Sequence, residues 1–384
     1  MEVFLDNAST TPLLPAVKKM IVSVLDLYGN PSSLHKKGFA AKQLIRHARE
    51  SVIKSIGANP DEDKERLLFV PSGSAANTIA INSVWKINAP KTIFYSPIAH
   101  KSILTQIQNL RRKDDCFESL KVDRTGTIDL TDFENKISEC RSASKIPCVV
   151  VDYANSEIGT VQPVEKLVEI THKYKGVIYF DCTGVISTIS INVARLKADA
   201  IGFSGHKIGA LKGIGAFWYN RSTVEPYPLI FGAQEHGIVG GTENIIGAVS
   251  LGAAIENWTR ETAVEHKRDY LFGQIRNEIP GTYMVGATKN RLTNNINVCF
   301  KGINGSQLAT ILDSFGIYVS TGSACNSGTN VPSKVLQEIG IPNEDINSCI
   351  RMTLDGNETY EQLDYAAKCI RACVEKLRSA TDDE

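Results

Sequence analysis

The sequence of 384 residues lacks an excess of charge of either sign, with 42 Lys and Arg residues against 42 Asp and Glu residues. A strongly basic surface is therefore not predicted, and we expect no direct nucleic-acid binding. No apolar run approaches the length that spans a bilayer. Residues 1–15 also lack the positive start, apolar core and small-residue cleavage site of a secretory signal. We expect a cytoplasmic protein that does not bind membranes.

The nine cysteines are odd in number and irregularly spaced, and no CxxC pair occurs. The closest pair, Cys369 and Cys373, is four residues apart on a predicted helix. This pattern predicts neither a disulfide framework nor a cysteine metal site.

Short apolar runs alternate with helical stretches through the middle of the chain. Several runs are apolar almost throughout, as expected of strands covered on both faces. Helices such as Ala75–Ile87 and Pro163–Tyr174 fit between them. The alternation predicts an α/β fold with a mostly parallel sheet. The predicted strands are Arg66–Val70, Thr92–Ser96, Pro147–Asp152, Val177–Asp181, Ala200–Ser204 and Gly215–Tyr219.

The pattern changes near residue 255. A long charged helix is predicted over Ile255–Glu278, followed by strands over Asn295–Phe300 and Tyr318–Ser320 and a helix over Glu361–Ser379. A chain of this length exceeds the usual size of a single core. We therefore predict two domains with a boundary near residue 255.

Ligands of open α/β sheets bind beyond the carboxyl ends of the strands, so the residues there are candidates for function. Lys207 directly follows the apolar strand AIGFS, although most lysines are solvated surface residues. A lysine at a strand end can form a Schiff base with a carbonyl cofactor such as pyridoxal phosphate. That cofactor needs an acid near its pyridine nitrogen, and Asp181 ends the preceding strand. Asp181 alone would more often be a helix cap, but with Lys207 the cofactor site is favoured.

Two further strand ends support this interpretation. The small-residue turn Ser72-Gly73-Ser74 runs into a helix, whose first N–H groups can bind phosphate. The same turn is equally compatible with an ordinary N-cap at Ser74. His100 follows the strand TIFYS, where an imidazole can stack on a cofactor ring and move protons. A structural role for His100 is about as common.

Cys325 lies in the stretch STGSACNSG among small and polar residues. A structural thiol usually has apolar neighbours, which are missing here. Gly322 and Gly328 restrict the backbone little, and the residues between them bury little apolar surface. The segment is therefore predicted to be mobile and its thiol to be reactive.

These residues resemble the NifS/IscS-like cysteine desulfurases, which are class V, fold type I pyridoxal-phosphate enzymes. The similarity extends from Phe4 to about Ala367 and is most specific in GNPSSLH, SGHK and SGSAC. The resemblance implies a seven-stranded, mostly parallel sheet in a large domain of residues 14–255. It also implies a smaller α+β domain of residues 1–13 and 256–384. The other segments that carry it are FLDNASTTP, FVPSGSAAN, ANSEIGTVQP, QEHGIVGGTEN and IRMTLD.

The resemblance also implies roles for individual residues. Lys207 would form the Schiff base, Asp181 would hold the pyridine nitrogen and His100 would stack on the ring. Asn155 would contact the ring or the substrate, and Arg351 would bind the substrate carboxylate. The implied phosphate ligands are Gly73, Ser74, Ser204, His206 and, from a partner subunit in a homodimer, Thr242.

The implied reaction converts L-cysteine to L-alanine. Lys207 would remove the α-proton, and the thiolate of Cys325 would attack the substrate sulfur to give a persulfide. The sulfur would then pass to an acceptor protein for iron–sulfur assembly, tRNA thiolation or DNA phosphorothioate modification. A selenocysteine lyase, another class V reaction such as transamination, and a catalytically degenerate scaffold are the alternatives.

The sequence departs from the family pattern near the predicted site. Asp181-Cys182-Thr183-Gly184 replaces Asp-Ala-Ala-Gln, so the glutamine that donates to the ring oxygen is missing. Two usual arginines are replaced by His236 and Val239. We expect a specialised branch of the family.

Overall fold

The computed structural model describes residues 1–59, 66–112, 116–260, 263–322 and 332–382, with side chains to residue 380. The strands are β1 (Val3–Phe4), β2 (Leu67–Val70), β3 (Lys91–Tyr95), β4 (Phe117–Ser119), β5 (Ile146–Asp152), β6 (Val177–Asp181), β7 (Ala200–Ser204), β8 (Gly215–Tyr219), β9 (Thr282–Met284), β10 (Asn295–Phe300), β11 (Ile317–Tyr318), β12 (Ser320–Thr321) and β13 (Cys349–Thr353). The helices are α1 (Pro15–Val24), α2 (Lys36–Ser55), α3 (Gly73–Trp85), α4 (Lys101–Arg111), α5 (Leu130–Ser142), α6 (Val164–Lys173), α7 (Val193–Leu196), α8 (Ile245–Asn257), α9 (Val264–Glu278), α10 (Gly305–Ser314), α11 (Lys334–Glu338), α12 (Asn343–Ile346) and α13 (Tyr360–Asp382).

The central sheet has seven strands in the order β2-β8-β7-β6-β5-β3-β4. All neighbouring pairs are parallel except those of β8, which runs antiparallel to both β7 and β2. The predicted α/β fold with a mostly parallel seven-stranded sheet is confirmed. The edge strand β4 was not among the predicted strands, because three residues are too few to show an alternating pattern.

A second sheet has the order β12-β13-β10-β9, and β1 pairs in parallel with β11. Its apolar face packs against α9, α10 and α13 in a core that includes Ile296, Leu308 and Leu363. Val3 and Leu5 belong to the same core, so the first residues of the chain join its last third.

The single long helix predicted over Ile255–Glu278 is wrong. Helix α8 ends at Asn257 and α9 begins at Val264. Trp258 has an extended backbone with ψ of 118°. Its indole Nε1 donates a hydrogen bond to the carbonyl oxygen of Ser187 at 2.8 Å. A tertiary contact therefore ends the helix where the sequence pattern continues.

The predicted strand Tyr318–Ser320 is also divided. Tyr318 pairs with Phe4, whereas Ser320 pairs with Arg351 in the other sheet. The chain thus changes partners at Val319. No helix among the described residues is long and apolar enough to cross a membrane.

Candidate active site

A cleft of about 570 Å³ opens at the carboxyl ends of β5, β6 and β7 and is closed on its far side by β12 and β13. It gathers most of the predicted site residues. Thr242 does not line it. Cys325 lies outside the described residues, but Gly322 and Ser333, on either side of residues 323–331, line the cleft. The predicted residues in its wall are Gly73, Ser74, His100, Asn155, Asp181, Ser204, His206, Lys207 and Arg351.

Asp181 is buried at the end of β6 and is held by two donors. Its Oδ2 accepts a hydrogen bond from Asn77 Nδ2 at 2.7 Å, and its Oδ1 accepts one from the backbone N–H of Thr183 at 2.9 Å. These two hydrogen bonds fix the orientation of the carboxyl group. Asn77 is itself fixed by Tyr179, whose hydroxyl donates to Asn77 Oδ1 at 2.6 Å.

The helix that supplies the predicted phosphate site begins at Gly73. Its N-cap is Ser72, and not Ser74 as the sequence suggested, because Ser72 Oγ accepts from the N–H of Ala75 at 3.1 Å. A side chain at position 73 would place its Cβ 2.7 Å from Thr183 Oγ1. That hydroxyl is buried and has no hydrogen-bond partner among the described residues. The helix start thus offers N–H groups and an unsatisfied hydroxyl side by side.

Lys207 ends the short helical turn Gly205–Lys207 that follows β7. The neighbouring His206 is half-buried, and its Nδ1 lies 3.2 Å from Thr10 Oγ1. Burial, together with the positive charges of Lys207 and Lys212, lowers the pKa of His206 to about 4. His206 is therefore neutral at physiological pH and can act as a hydrogen-bonding group without adding charge.

His100 caps helix α4 and opens into the cleft. Its Nδ1 accepts from the N–H of Ser102 at 3.2 Å and lies 2.7 Å from Ser102 Oγ. Ser102 Oγ in turn accepts from Asn77 Nδ2 at 2.9 Å, so His100 and Asp181 share one network. Although the ring faces the cleft, the surrounding protein desolvates it, and this lowers the pKa of His100 more than nearby Asp181 raises it. Because Nδ1 accepts, Nε2 carries the proton of the neutral ring.

Arg351 lies at the second-sheet side of the cleft, almost completely buried. Its Nη2 donates to Asp6 Oδ1 and to Ser9 Oγ, each at 2.8 Å. Its Nε is buried without a hydrogen-bond partner among the described residues. Asp6 and Ser9 therefore orient the guanidinium and leave part of it available for an anion.

Asn155 lines the cleft, but its amide is already engaged with the backbone. Its Nδ2 donates to the carbonyl of Ile98 at 2.8 Å, and its Oδ1 accepts from the N–H groups of Glu157 and Ile158 at 2.9 and 3.0 Å. These bonds shape the turn after β5.

Sequence reasoning missed two acids in the cleft wall. Asp152, at the end of β5, lies opposite Asp181 and accepts from the N–H of His100 at 3.1 Å. Burial, and then the charge of Asp181, raise its pKa well above the usual range. Burial likewise raises the pKa of Glu157 to about 7. The position of Asp152 at a strand end was a usable signal, whereas nothing in the sequence around Glu157 indicated its burial.

The comparisons with known proteins agree over nearly the whole chain. The family model Aminotransferase class-V matches residues 3–365. The cysteine desulfurase IscS of Dictyoglomus turgidum is 34% identical and the match covers 98% of this chain and 96% of that protein. The cysteine desulfurase IscS of Methanosarcina thermophila is 33% identical, with coverage of 98% and 93%.

Solved structures give the same result. A NifS-like protein superposes with a TM-score of 0.88 at 30% identity, covering 98% of this chain and 100% of the other. The structure of SspA in complex with cysteine superposes with a TM-score of 0.80 at 26% identity, covering 93% and 99%.

Proposed function

This chain belongs to the class-V aminotransferase family, whose enzymes use pyridoxal phosphate, and we propose that it is a cysteine desulfurase with Cys325 as the sulfur acceptor. One observation carries the proposal. Lys207, Asp181, His100 and Arg351 line one cleft, and both described ends of the Cys325 segment line it too. The names of the relatives and the cysteine bound to SspA support L-cysteine as the substrate.

The described residues fit the cofactor. The start of helix α3 suits a phosphate group, with Ser74 and the hydroxyl of Thr183, for which the described part of the chain offers no hydrogen-bond partner. Ser204 and His206 lie in the same wall. The buried carboxylate of Asp181, held by two donors, suits a pyridinium nitrogen. When bound, the cofactor supplies a carbonyl for a Schiff base and an electron sink for the substrate Cα.

The protein groups then have separate tasks. Arg351 binds the substrate carboxylate through Nε, which has no hydrogen-bond partner within the described ranges, and the planar guanidinium suits this geometry. Lys207 Nζ would hold the cofactor in the resting enzyme and, once the substrate amine has displaced it, would take the α-proton of the substrate. His100 would stack on the cofactor ring, with Nε2 protonated because its Nδ1 accepts from Ser102. Asn155 shapes the turn beneath the substrate.

The sulfur transfer balances without an external oxidant. The C–S bond of cysteine breaks, and an S–S bond forms between its sulfur and Sγ of Cys325. The electron pair of the C–S bond stays on the substrate, whose Cβ is protonated to give alanine. The enzyme persulfide is then the oxidised product, and its outer sulfur passes to the thiol of an acceptor protein.

The proposal places the site between two domains, residues 14–255 and residues 1–13 with 256–384. The separate core around Ile296, which includes Val3 and Leu5, supports this division. Residue 255 itself falls inside helix α8, two residues before its end at Asn257, so the boundary belongs just after that helix.

The enzyme acts as a homodimer in which Thr242 of the partner subunit completes the phosphate site. Thr242 does not line the cleft of its own chain. Large apolar side chains are exposed nearby in sequence and on α1 and α2, including Phe231 at 76% and Phe39 at 60%. Exposed apolar groups of this size indicate a surface that another chain covers.

The test measures alanine and persulfide formation from L-cysteine by the wild type and by Cys325→Ala. The variant should keep the yellow cofactor, because Cys325 is no part of the proposed cofactor site, yet form alanine at least ~100-fold more slowly. The wild type alone should gain the mass of one sulfur atom at Cys325. Unchanged alanine formation in Cys325→Ala would overturn the proposal, and if turnover persisted with selenocysteine only, a selenocysteine lyase would replace it.

A further inference from the structure

Resting on the proposed desulfurase function, we propose that Glu157 is a positioning residue for sulfur transfer, because its carboxyl group joins the two points at which the Cys325 segment leaves and rejoins the described chain. These points are Gly322 and Ser333. Glu157 stands on the turn after β5 and faces Gly322, which follows β12 of the second sheet.

The carboxyl group contacts both points with one oxygen. Ser333 Oγ donates a hydrogen bond to Glu157 Oε1 at 2.5 Å. The same Oε1 lies so close to Gly322 that a Cβ added there would be 2.0 Å away. Only glycine therefore permits this contact at position 322. Ser333 also caps helix α11 by accepting from the N–H of Leu336, so the helix start is fixed through the same hydroxyl.

The turn that carries Glu157 is rigidly connected to both sheets. The backbone N–H of Glu157 donates to Asn155 Oδ1 at 2.9 Å, and Asn155 Nδ2 donates in turn to the carbonyl oxygen of Ile98. The carbonyl oxygen of Glu157 accepts from Asn297 Nδ2 of β10 at 3.0 Å. These backbone hydrogen bonds fix the position of Glu157, so that its carboxyl group can contact Gly322 and Ser333.

Among the described residues, Arg351 of β13 is the charged group that acts on Glu157. Burial raises the pKa of Glu157 to about 7, and the hydrogen bond from Ser333 and then the charge of Arg351 lower it by less. Cys349, also on β13, is buried; its hydrogen bond with Cys299 and its burial raise the pKa of its thiol, and the charge of Glu157 adds a smaller effect. Lys334 lines the same cleft next to Ser333. Near neutral pH the carboxyl therefore changes charge, and only the ionised form attracts Arg351.

When both ends of the segment that carries Cys325 are fixed, the thiol of Cys325 has a higher effective concentration near the substrate sulfur. Effective concentration depends on the separation of the ends, and a misplacement of about 1 Å can slow a reaction ~100-fold. Loss of the Glu157 contacts should therefore slow the attack of Cys325 on the substrate sulfur. Binding of cysteine, which depends on Arg351, should change little.

The experiment follows single-turnover persulfide formation on Cys325, together with KM for L-cysteine and cofactor content, from pH 5.5 to 8.5. Glu157→Ala, Ser333→Ala and Gly322→Ala should each slow persulfide formation by ~10- to 100-fold with KM within ~3-fold of the wild type. Glu157→Gln can still accept from Ser333 and mimics the neutral acid, so it should recover most of the rate that the wild type shows at pH 5.5. It should also lack the inflection near pH 7 that the ionisable side chain gives the wild type. Glu344→Gln, an exposed control on α12, should match the wild type.

Wild-type persulfide rates in Glu157→Ala would overturn the inference, as would a Glu157→Gln variant that keeps the wild-type pH profile. If Glu157→Ala does not fold, Ser333→Ala and Gly322→Ala decide, since both keep Glu157. If the wild type forms no persulfide on Cys325, the proposed function itself is contradicted. If the wild type forms the persulfide and Glu157→Ala, Ser333→Ala and Gly322→Ala all form it at the same rate, only the role of Glu157 is contradicted.

Discussion

At the scale of single residues, some glycines in the wall of the cleft lie so close to neighbouring atoms that no side chain fits at their positions. Gly73 begins helix α3 beside the buried hydroxyl of Thr183, which has no hydrogen-bond partner among the described residues. Thr183 belongs to the stretch in which this sequence departs from the family pattern. The contact between Gly73 and Thr183 therefore places part of this departure from the family pattern at the proposed phosphate site.

Gly73→Ala should destabilise the protein, because the new Cβ would lie 2.7 Å from Thr183 Oγ1. We expect a loss of ~1–3 kcal/mol in the free energy of unfolding, and weaker retention of pyridoxal phosphate. Thr183→Ala removes the clashing oxygen, so the double variant should regain most of the stability. Urea denaturation of the two single variants and the double variant checks this, and additive losses would contradict the contact.

The lowered pKa of His206 makes stability depend on pH. Its pKa is about 4 in the folded chain against 6.5 ordinarily, so below pH 6.5 the unfolded chain binds more protons and stability falls as the pH falls towards 4. The full shift would amount to about 3 kcal/mol, and partial solvent exposure reduces it to ~1–2 kcal/mol. His206→Gln should therefore lose less stability than the wild type between pH 7.5 and pH 5. Urea denaturation at the two pH values measures both losses, and an equal loss of unfolding free energy in the variant and the wild type would contradict the prediction.

At the scale of elements, helix contacts depend on glycines whose role differs with their surroundings. Gly252 of α8 faces α2 so closely that a Cβ would lie 2.8 Å from Ala48 Cα. Gly273 of α9 has no atom within 4 Å of such a Cβ. Both glycines stand inside helices, where alanine is intrinsically preferred.

Gly252→Ala should therefore separate α2 from α8 and lower the free energy of unfolding by ~1–3 kcal/mol. Gly273→Ala should instead raise it by ~0.5–1 kcal/mol, because it only improves helix propensity. The two variants control for each other in one denaturation experiment. Equal effects of the same sign would show that the α2–α8 contact is not tight.

Elements with a strong apolar pattern could be predicted from the sequence. Elements whose bounds depend on a contact with a distant residue could not. Strands β5, β6 and β7 were predicted within a residue or two, because buried strands are apolar almost throughout. The break after Asn257 was missed, since the bond from Trp258 to Ser187 joins residues 71 positions apart. The change of sheet at Val319 was missed for the same reason.

At the scale of the whole molecule, the proposed assignment of Thr242 to the partner's cleft can be tested with mixed dimers. A dimer of one Lys207→Ala chain and one Thr242→Ala chain has both defects in one site if Thr242 acts across the interface. Its other site is then intact, and activity should be about half that of the wild type.

If Thr242 acts within its own chain, each site of the mixed dimer carries one defect and activity should fall to the level of the single variants. Differently tagged chains, purified as the mixed dimer, make the comparison direct. A monomer by light scattering would contradict the homodimer itself.

The sequence by itself determined the sheet, the strand ends and the residue types placed at them, because burial and strand-end geometry leave local signals. Lys207, Asp181 and His100 could thus be proposed as site residues from the sequence, and all three line the cleft. The tertiary structure alone decided that Asn77 and Ser102 connect Asp181 to His100. It also decided that Asp6 orients Arg351 from the other end of the chain. The burial that raises the pKa of Glu157, and its contact with Gly322 and Ser333, likewise arise only when distant segments meet, because desolvation depends on surroundings that no local pattern encodes.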